Sequence, residues 1–249
     1  MGAKNHCIVM PDAEKEDAIN AIVGACFGST GQRCMAISVA VLVGDAQKWI
    51  PEIVEKTKTL KVGPGVGNFD ITPTNNANHL KKINELIADG EKNATVLLDG
   101  RNVKVEGYPN GNWIGATVID NCKQGMRCYD EEIFGPVLNI VRVDTLKEGI
   151  DFINANKWGN GASIFSKNGH TARKFQTEIE AGQIGINLPI PVPLPMFSFT
   201  GNKASMWGSS NFYGKGAVSF NTQWKTVTAR WKEESEDAQK LATFFPTMK

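Results

Sequence analysis

The chain has 249 residues, 41% of them hydrophobic, with 27 basic and 26 acidic side chains and a formal charge of +1. That length buries a sizeable core as one large domain or two small ones. So even a balance provides no field to gather nucleic acid or anionic lipid, and no apolar run reaches the roughly 20 residues of a membrane span, so neither is expected as a partner. The opening "MGAKNHCIVMPDAEKED" reads as neither a secretory leader nor an Arg-rich presequence. The five cysteines, odd in number and without a CxxC pair, read as free thiols in a reducing compartment.

In chain order, "CIVM" is a short strand, and "DAEKEDAINAIVGACFG" places Ala18, Ile22, Ala25 and Cys26 at helical spacing behind Asp12 as the expected cap. A glycine-rich segment, Gly28 to Gly31, follows. "ISVAVLVG" is β-branched and nearly all apolar, as a strand covered on both faces should be, and "DAQKWIPEIVEKTKTL" continues as an amphipathic helix with Pro51 in its first turns. Then come a helix at "HLKKINELIADG", strands in "ATVLLDG", "GNWIGATVID" and "PVLNIVRVD", a helix at "TLKEGIDFINANK", and a last β-α-β unit, "GASIFSK", "TARKFQTEIEAG" and "QIGIN". Alternation of this kind predicts an α/β fold, a mostly parallel sheet flanked by helices, with its active site at the strand ends.

After Asn187 the pattern changes. Pro189, Pro191, Pro193 and Pro195 at alternate positions forbid a helix and predict an extended, stiff loop. "GAVSFNTQWKTVTARW" reads as two short strands that pair with something else, and Lys232 to Lys249 as a polar tail.

Several candidate motifs fail. "GPGVGN" follows a helix and runs into Pro73, so it is not a phosphate loop, and "GSSNFYGKG" misses the P-loop spacing and its Ser or Thr. His6, His79 and His170 have no metal-ligand spacing, so no metal is expected. Cys34 remains, in "FGSTGQRCMAIS". Arg33 beside it favours a thiolate, and the small residues before it leave room for a carbonyl to approach and for peptide N–H groups to meet an oxyanion. On those grounds alone, a reactive thiol and a buried structural cysteine are equally supported.

Three segments go further. "GQRCMAIS", "EEIFGPV" (Glu131 to Val137) and "GQIGINLPIPVPLPMFSFTG" (Gly182 to Gly201) resemble the aldehyde dehydrogenase superfamily, and within it the CoA-acylating branch that acts on methylmalonate semialdehyde. The resemblance runs from "MGAKNH" to "TVTARWKEE". It implies a catalytic domain at 1–202 and a C-terminal segment at 203–249 that carries oligomerisation strands and the tail. It implies Cys34 as the nucleophile, its alkoxide held by the Cys34 backbone N–H, Glu132 on the nicotinamide ribose and Phe134 beside the nicotinamide. Phe199 would line the aldehyde pocket and Arg33 would steer the substrate carboxylate. The cofactors implied are NAD and, as co-substrate, CoA. The reaction is oxidation of methylmalonate or malonate semialdehyde to propionyl-CoA or acetyl-CoA, in valine and pyrimidine catabolism.

The resemblance also implies a mitochondrial matrix location and a homo-oligomer, a tetramer built from dimers. Members are about twice this length, so the N-terminal coenzyme domain is expected to be absent and the general-base position to fall just before Met1. A catalytically inert module that packs against full-length subunits is the alternative.

Overall fold

A computed structural model describes residues 2–208, 211–229 and 231. Strand β1 (Asn5–Val9) leads through helix α1 (Lys15–Phe27) to β2 (Ile37–Val43), which lies parallel beside it. A 3-10 turn and α2 (Ile50–Lys58) follow, with Pro51 in the first turn, where its missing N–H costs nothing. Then come α3 (Ala77–Asn93), β3 (Thr95–Leu98), β4 (Thr117–Asp120), the single turn α4 (Arg127–Asp130) and β5 (Val137–Val143). Helix α5 (Leu146–Asn154) crosses to β6 (Trp158–Gly159) and β7 (Gly161–Phe165), and α6 (Gly169–Glu178) leads to β8 (Gln183–Ile186).

Seven strands form one sheet in the order β3-β4-β5-β2-β1-β7-β8, parallel throughout except for β3 at one edge. The expected mostly parallel sheet is therefore present. A separate antiparallel pair joins β6 to β9 (Asn202–Lys203).

Side chains alternate across the sheet as period-two geometry requires. Cys7, Val9, Ala40 and Leu42 face α1 and α2, packing on Ile22, Cys26 and Ile53. Ile8, Val39 and Val41 face the other layer, against Ile83, Leu86, Ile150 and Phe175 of α3, α5 and α6. Each fully buried aliphatic of this kind contributes about 1.5–3 kcal/mol, so two such layers hold the central strands firmly. Thr145 and Asn168 cap α5 and α6 with side-chain hydrogen bonds, and Asn76 caps α3.

Two local expectations are corrected. Asp12 does not cap α1, whose N-cap is Glu14 without a side-chain bond. Its carboxylate instead accepts from Ser166 Oγ at 3.0 Å and the Lys167 N–H at 3.1 Å, tying the loop after β1 to the loop after β7. Residues Gly216–Asn221, expected as a strand, form the short helix α7. A run of two β-branched or aromatic residues did not outweigh the local i→i+4 bonds. The proline-rich stretch forms no helix, as expected, and is half-buried to exposed. The tail Lys232 to Lys249 lies outside the described residues.

Candidate active site

The candidate residues gather at the amino ends of the parallel strands. Cys34 lies three positions before β2, and Glu132 and Phe134 lie just before β5. Phe199 returns to the same edge because the next two residues are fastened there: Gln183 Nε2, at the start of β8, donates to Thr200 O at 3.0 Å, and Gly182 and Gly201 pack backbone to backbone. Parallel sheets usually keep their ligand crevice at the carboxyl ends. That end does hold a cavity of about 620 Å³, lined by Gln47, Ile50, Val54, Leu97 and Arg142, but none of the candidates lies in it.

The segment leading into Cys34 has an unusual backbone. Ser29, Thr30 and Gly31 all take left-handed conformations, with φ of 54°, 57° and 66°. For Thr30, which is β-branched, this is a strained state that surrounding contacts must impose. Thr30 Oγ1 donates to Thr72 O at 2.9 Å and accepts the Thr72 N–H at the same distance. Gln32 Oε1 accepts from the Asn75 N–H at 3.0 Å. Gly31 is held from the other side, since a Cβ there would lie 2.2 Å from Gly135 O. This contact joins the cysteine segment to the "EEIFGPV" segment.

Cys34 itself sits in a turn and is exposed, whereas Cys7, Cys26, Cys122 and Cys128 are all buried. Of the two readings left open by residue chemistry, the buried structural cysteine is therefore excluded. Its backbone N–H has no acceptor among the described residues, so it is free to meet an oxyanion. Burial pushes the Cys7 thiol up to about 12 and the Cys26 thiol higher still, which keeps both protonated and unreactive.

Arg33 turns away from the thiol. Its Nη2 donates to Gly24 O at 2.9 Å and Ala25 O at 3.1 Å, covering carbonyls in the last turn of α1. The positive charge that the sequence places beside Cys34 is thus spent largely on the helix end.

Glu132 is half-buried, and burial raises its carboxyl above the usual range, although the Ala3 N–H and nearby Lys82 and Lys4 oppose the shift. A Cβ on Gly2 would lie 3.1 Å from Glu132 Oε2 and 2.9 Å from the Trp158 ring, so the first residues of the chain border this carboxylate. Phe134 has φ of 56°, is 40% exposed, and its ring lies 6.2 Å from that of His79. Phe199 stacks on Phe212 at 6.2 Å and abuts Tyr213. The Gly31–Gly135 contact joins the segment of Cys34 to the segment of Glu132 and Phe134; Arg33 and Phe199 have their own separate surroundings.

Sequence reasoning missed the residues that fix these segments. Lys4, fully buried, donates from Nζ to Cys128 O and Glu131 O, both at 2.8 Å, and so holds the loop that carries Glu132. Burial lowers its amine to about 8. Asn5 donates to Cys34 O at 3.0 Å and Ala36 O at 2.9 Å, and Asn160 donates to Cys34 O at 2.9 Å. The one available signal was the polar run "KNH" leading into the apolar "CIV" of the first strand. Among the described residues no three His, Cys, Asp or Glu side chains are grouped to hold a metal ion.

The aldehyde dehydrogenase family model matches residues 1–227. The chain belongs to the aldehyde dehydrogenase family. It is 53% identical over its full length to the bovine mitochondrial methylmalonate-semialdehyde/malonate-semialdehyde dehydrogenase [acylating], of which it spans 47%. Among solved structures, methylmalonate-semialdehyde dehydrogenase from Oceanimonas doudoroffii superposes with a TM-score of 0.88 at 46% identity, over 94% of this chain and 49% of that one. A protein from Sinorhizobium meliloti 1021, solved in complex with NAD, superposes with a TM-score of 0.89 at 42% identity, covering 95% and 49%. The chain thus spans about half the length of the family members it matches.

Proposed function

We propose that this chain is the thiol-bearing half of an NAD-dependent, CoA-acylating semialdehyde dehydrogenase acting on methylmalonate and malonate semialdehydes. The observation that carries the reading is Cys34, the one exposed thiol among five, just after a strained segment and with a free backbone N–H. Cys34 Sγ attacks the aldehyde carbon, and the resulting alkoxide is met by the Cys34 N–H. NAD, when bound, accepts the hydride whose departure leaves a thioester on the sulfur. The bond from the α-carbon to the substrate carboxylate breaks to release carbon dioxide, a proton from water taking its place on that carbon, and CoA thiol takes the acyl group, its proton passing to the freed Cys34 sulfur.

The residues present suit such a cofactor. A half-buried carboxylate at Glu132 is chemically matched to ribose hydroxyls, and the outward ring of Phe134 to the flat nicotinamide. Arg33 takes the substrate carboxylate in this scheme, which requires its Nη2 to exchange the α1 carbonyls for it. Phe199 lines the aldehyde pocket, with 1–202 as the catalytic domain and 203–249 as the oligomerisation segment of a tetramer built from dimers. The setting is the mitochondrial matrix, in keeping with the mitochondrial relatives.

Acyl transfer can be tested without NAD. Propionyl-CoA is expected to acylate Cys34, with the peptide carrying it gaining a propionyl group as CoA is released, and Cys34→Ser is expected to abolish the product. Equal modification of every cysteine, or none of Cys34, contradicts the reading. Complete turnover is a separate matter: with malonate semialdehyde, NAD and CoA the isolated chain is expected to reduce little NAD, because Glu132 and Phe134 alone address only the nicotinamide end.

A second reading, an inert module that packs against full-length subunits, is favoured by one feature. Trp207, Trp224 and Trp231 are 87%, 100% and 93% exposed, and Phe197 and Val227 add to this apolar surface. Native mass spectrometry of the chain mixed with a full-length relative distinguishes the two: mixed oligomers combined with no acylation of Cys34 support the module.

A further inference from the structure

We propose that Asn160 and Asn5 are positioning residues for the reactive thiol, acting as a two-amide bracket on the Cys34 carbonyl; this rests on the reading of Cys34 as nucleophile. Asn160 Nδ2 and Asn5 Nδ2 donate to the same oxygen at 2.9 and 3.0 Å. The two amides also support each other. Asn5 Oδ1 accepts from Asn160 Nδ2 at 3.3 Å and from the Gly161 N–H at 3.1 Å, while Asn5 Nδ2 reaches Ala36 O at 2.9 Å. Asn5 opens β1 and Asn160 immediately precedes β7, so the bracket fastens the turn before β2 to the neighbouring strand β1 and to β7 beyond it.

Both side chains are nearly sealed, at 5% and 9% exposure, in surroundings where an unmade hydrogen bond is costly. Sheet pairing does not need them, since β1 and β7 are joined by their own ladder. What they determine is the orientation of one peptide plane. The Cys34–Met35 peptide is trans and planar, so a carbonyl drawn toward the sheet turns the Met35 N–H the opposite way. That N–H, like the one on Cys34, has no acceptor among the described residues. The bracket therefore keeps one backbone donor, the Met35 N–H, directed away from the two amides and next in sequence to the free Cys34 N–H, and a thiolate or an oxyanion can use it.

Asn160→Leu keeps the branching and bulk and removes the donor. In the 249-residue chain, Cys34 alkylation by iodoacetamide is expected to slow about five- to tenfold in this variant, the cost of one lost hydrogen bond. Asn160→Gln, which restores an amide, is expected to recover part of the rate. Wild-type rates in Asn160→Leu, or equal slowing in both variants, would overturn the bracket. Slow exchange of the Asn5 and Asn160 side-chain amide protons in the unmutated protein supports it independently of any variant, and rapid exchange of both counts against it. If unmutated Cys34 is itself no faster than the buried thiols, it is the nucleophile assignment that fails.

Discussion

The α-carbon of Gly31 lies so close to the carbonyl of Gly135 that a methyl group there would sit 2.2 Å from the oxygen. With φ at 66°, Gly31 also occupies a conformation that alanine adopts only under strain. This single approach brings the thiol segment against the segment of Glu132 and Phe134. Gly31→Ala is expected to destabilise the fold by at least about 3 kcal/mol, since backbone rather than a mobile side chain blocks the new carbon. Urea denaturation measures it, and a loss below about 1 kcal/mol would show that the two segments are not locked together in this way.

Lys4 makes a separate prediction. Its buried amine bridges Cys128 O and Glu131 O, and Lys4→Met keeps the stem while leaving both carbonyls without that donor. Amide hydrogen exchange at Glu132 and Ile133 is expected to quicken about tenfold, the scale of one lost hydrogen bond. Titration adds a second signature. The folded amine loses its proton near 8 rather than 10.5, so the folded state binds that proton less tightly than the unfolded chain. Relative to Lys4→Met, the native protein should therefore gain stability as pH rises from 8 toward 10.5. A pH-independent difference would contradict this account of the site.

His6 controls the acid side. Burial, reinforced by the charge of Lys4, lowers it to about 3, and its Nε2 shares a hydrogen bond of 2.9 Å with the Tyr129 hydroxyl. The folded protein keeps the ring neutral while the unfolded chain protonates it below about 6.5, so stability is lost as pH falls through 6.5 toward 3. Between pH 7 and 5 the native protein should lose about 2 kcal/mol more than His6→Gln. Urea midpoints at the two pH values test this, and parallel losses in both proteins would refute it.

The sheet was legible because its strands are short apolar runs with turn residues between them, and "ISVAVLV" in particular is covered on both faces as its composition demands. Cys34, Glu132 and Phe134 were legible through motifs. The supports were not, because they depend on partners far apart in sequence. Asn160 lies 126 residues from Cys34, and Lys4 lies 127 from Glu131. Apart from the polar "KN" at the head of the first strand, nothing local marks a buried lysine or asparagine as a clamp. Asp12 failed as a cap for the same reason: its partner Ser166 is 154 residues away and outcompetes the adjacent helix end. Arg33 was read as a neighbour of the thiol in sequence, yet its side chain is long enough to reach back to α1.

The most direct measurement is a peptide map after brief exposure of the folded chain to iodoacetamide. Cys7, Cys26, Cys122 and Cys128 are buried and should react only when the structure opens, so Cys34 is expected to be labelled at least ~100 times faster than any of them. Equal labelling of all five thiols, or an unlabelled Cys34, would contradict the assignment on which the whole site depends.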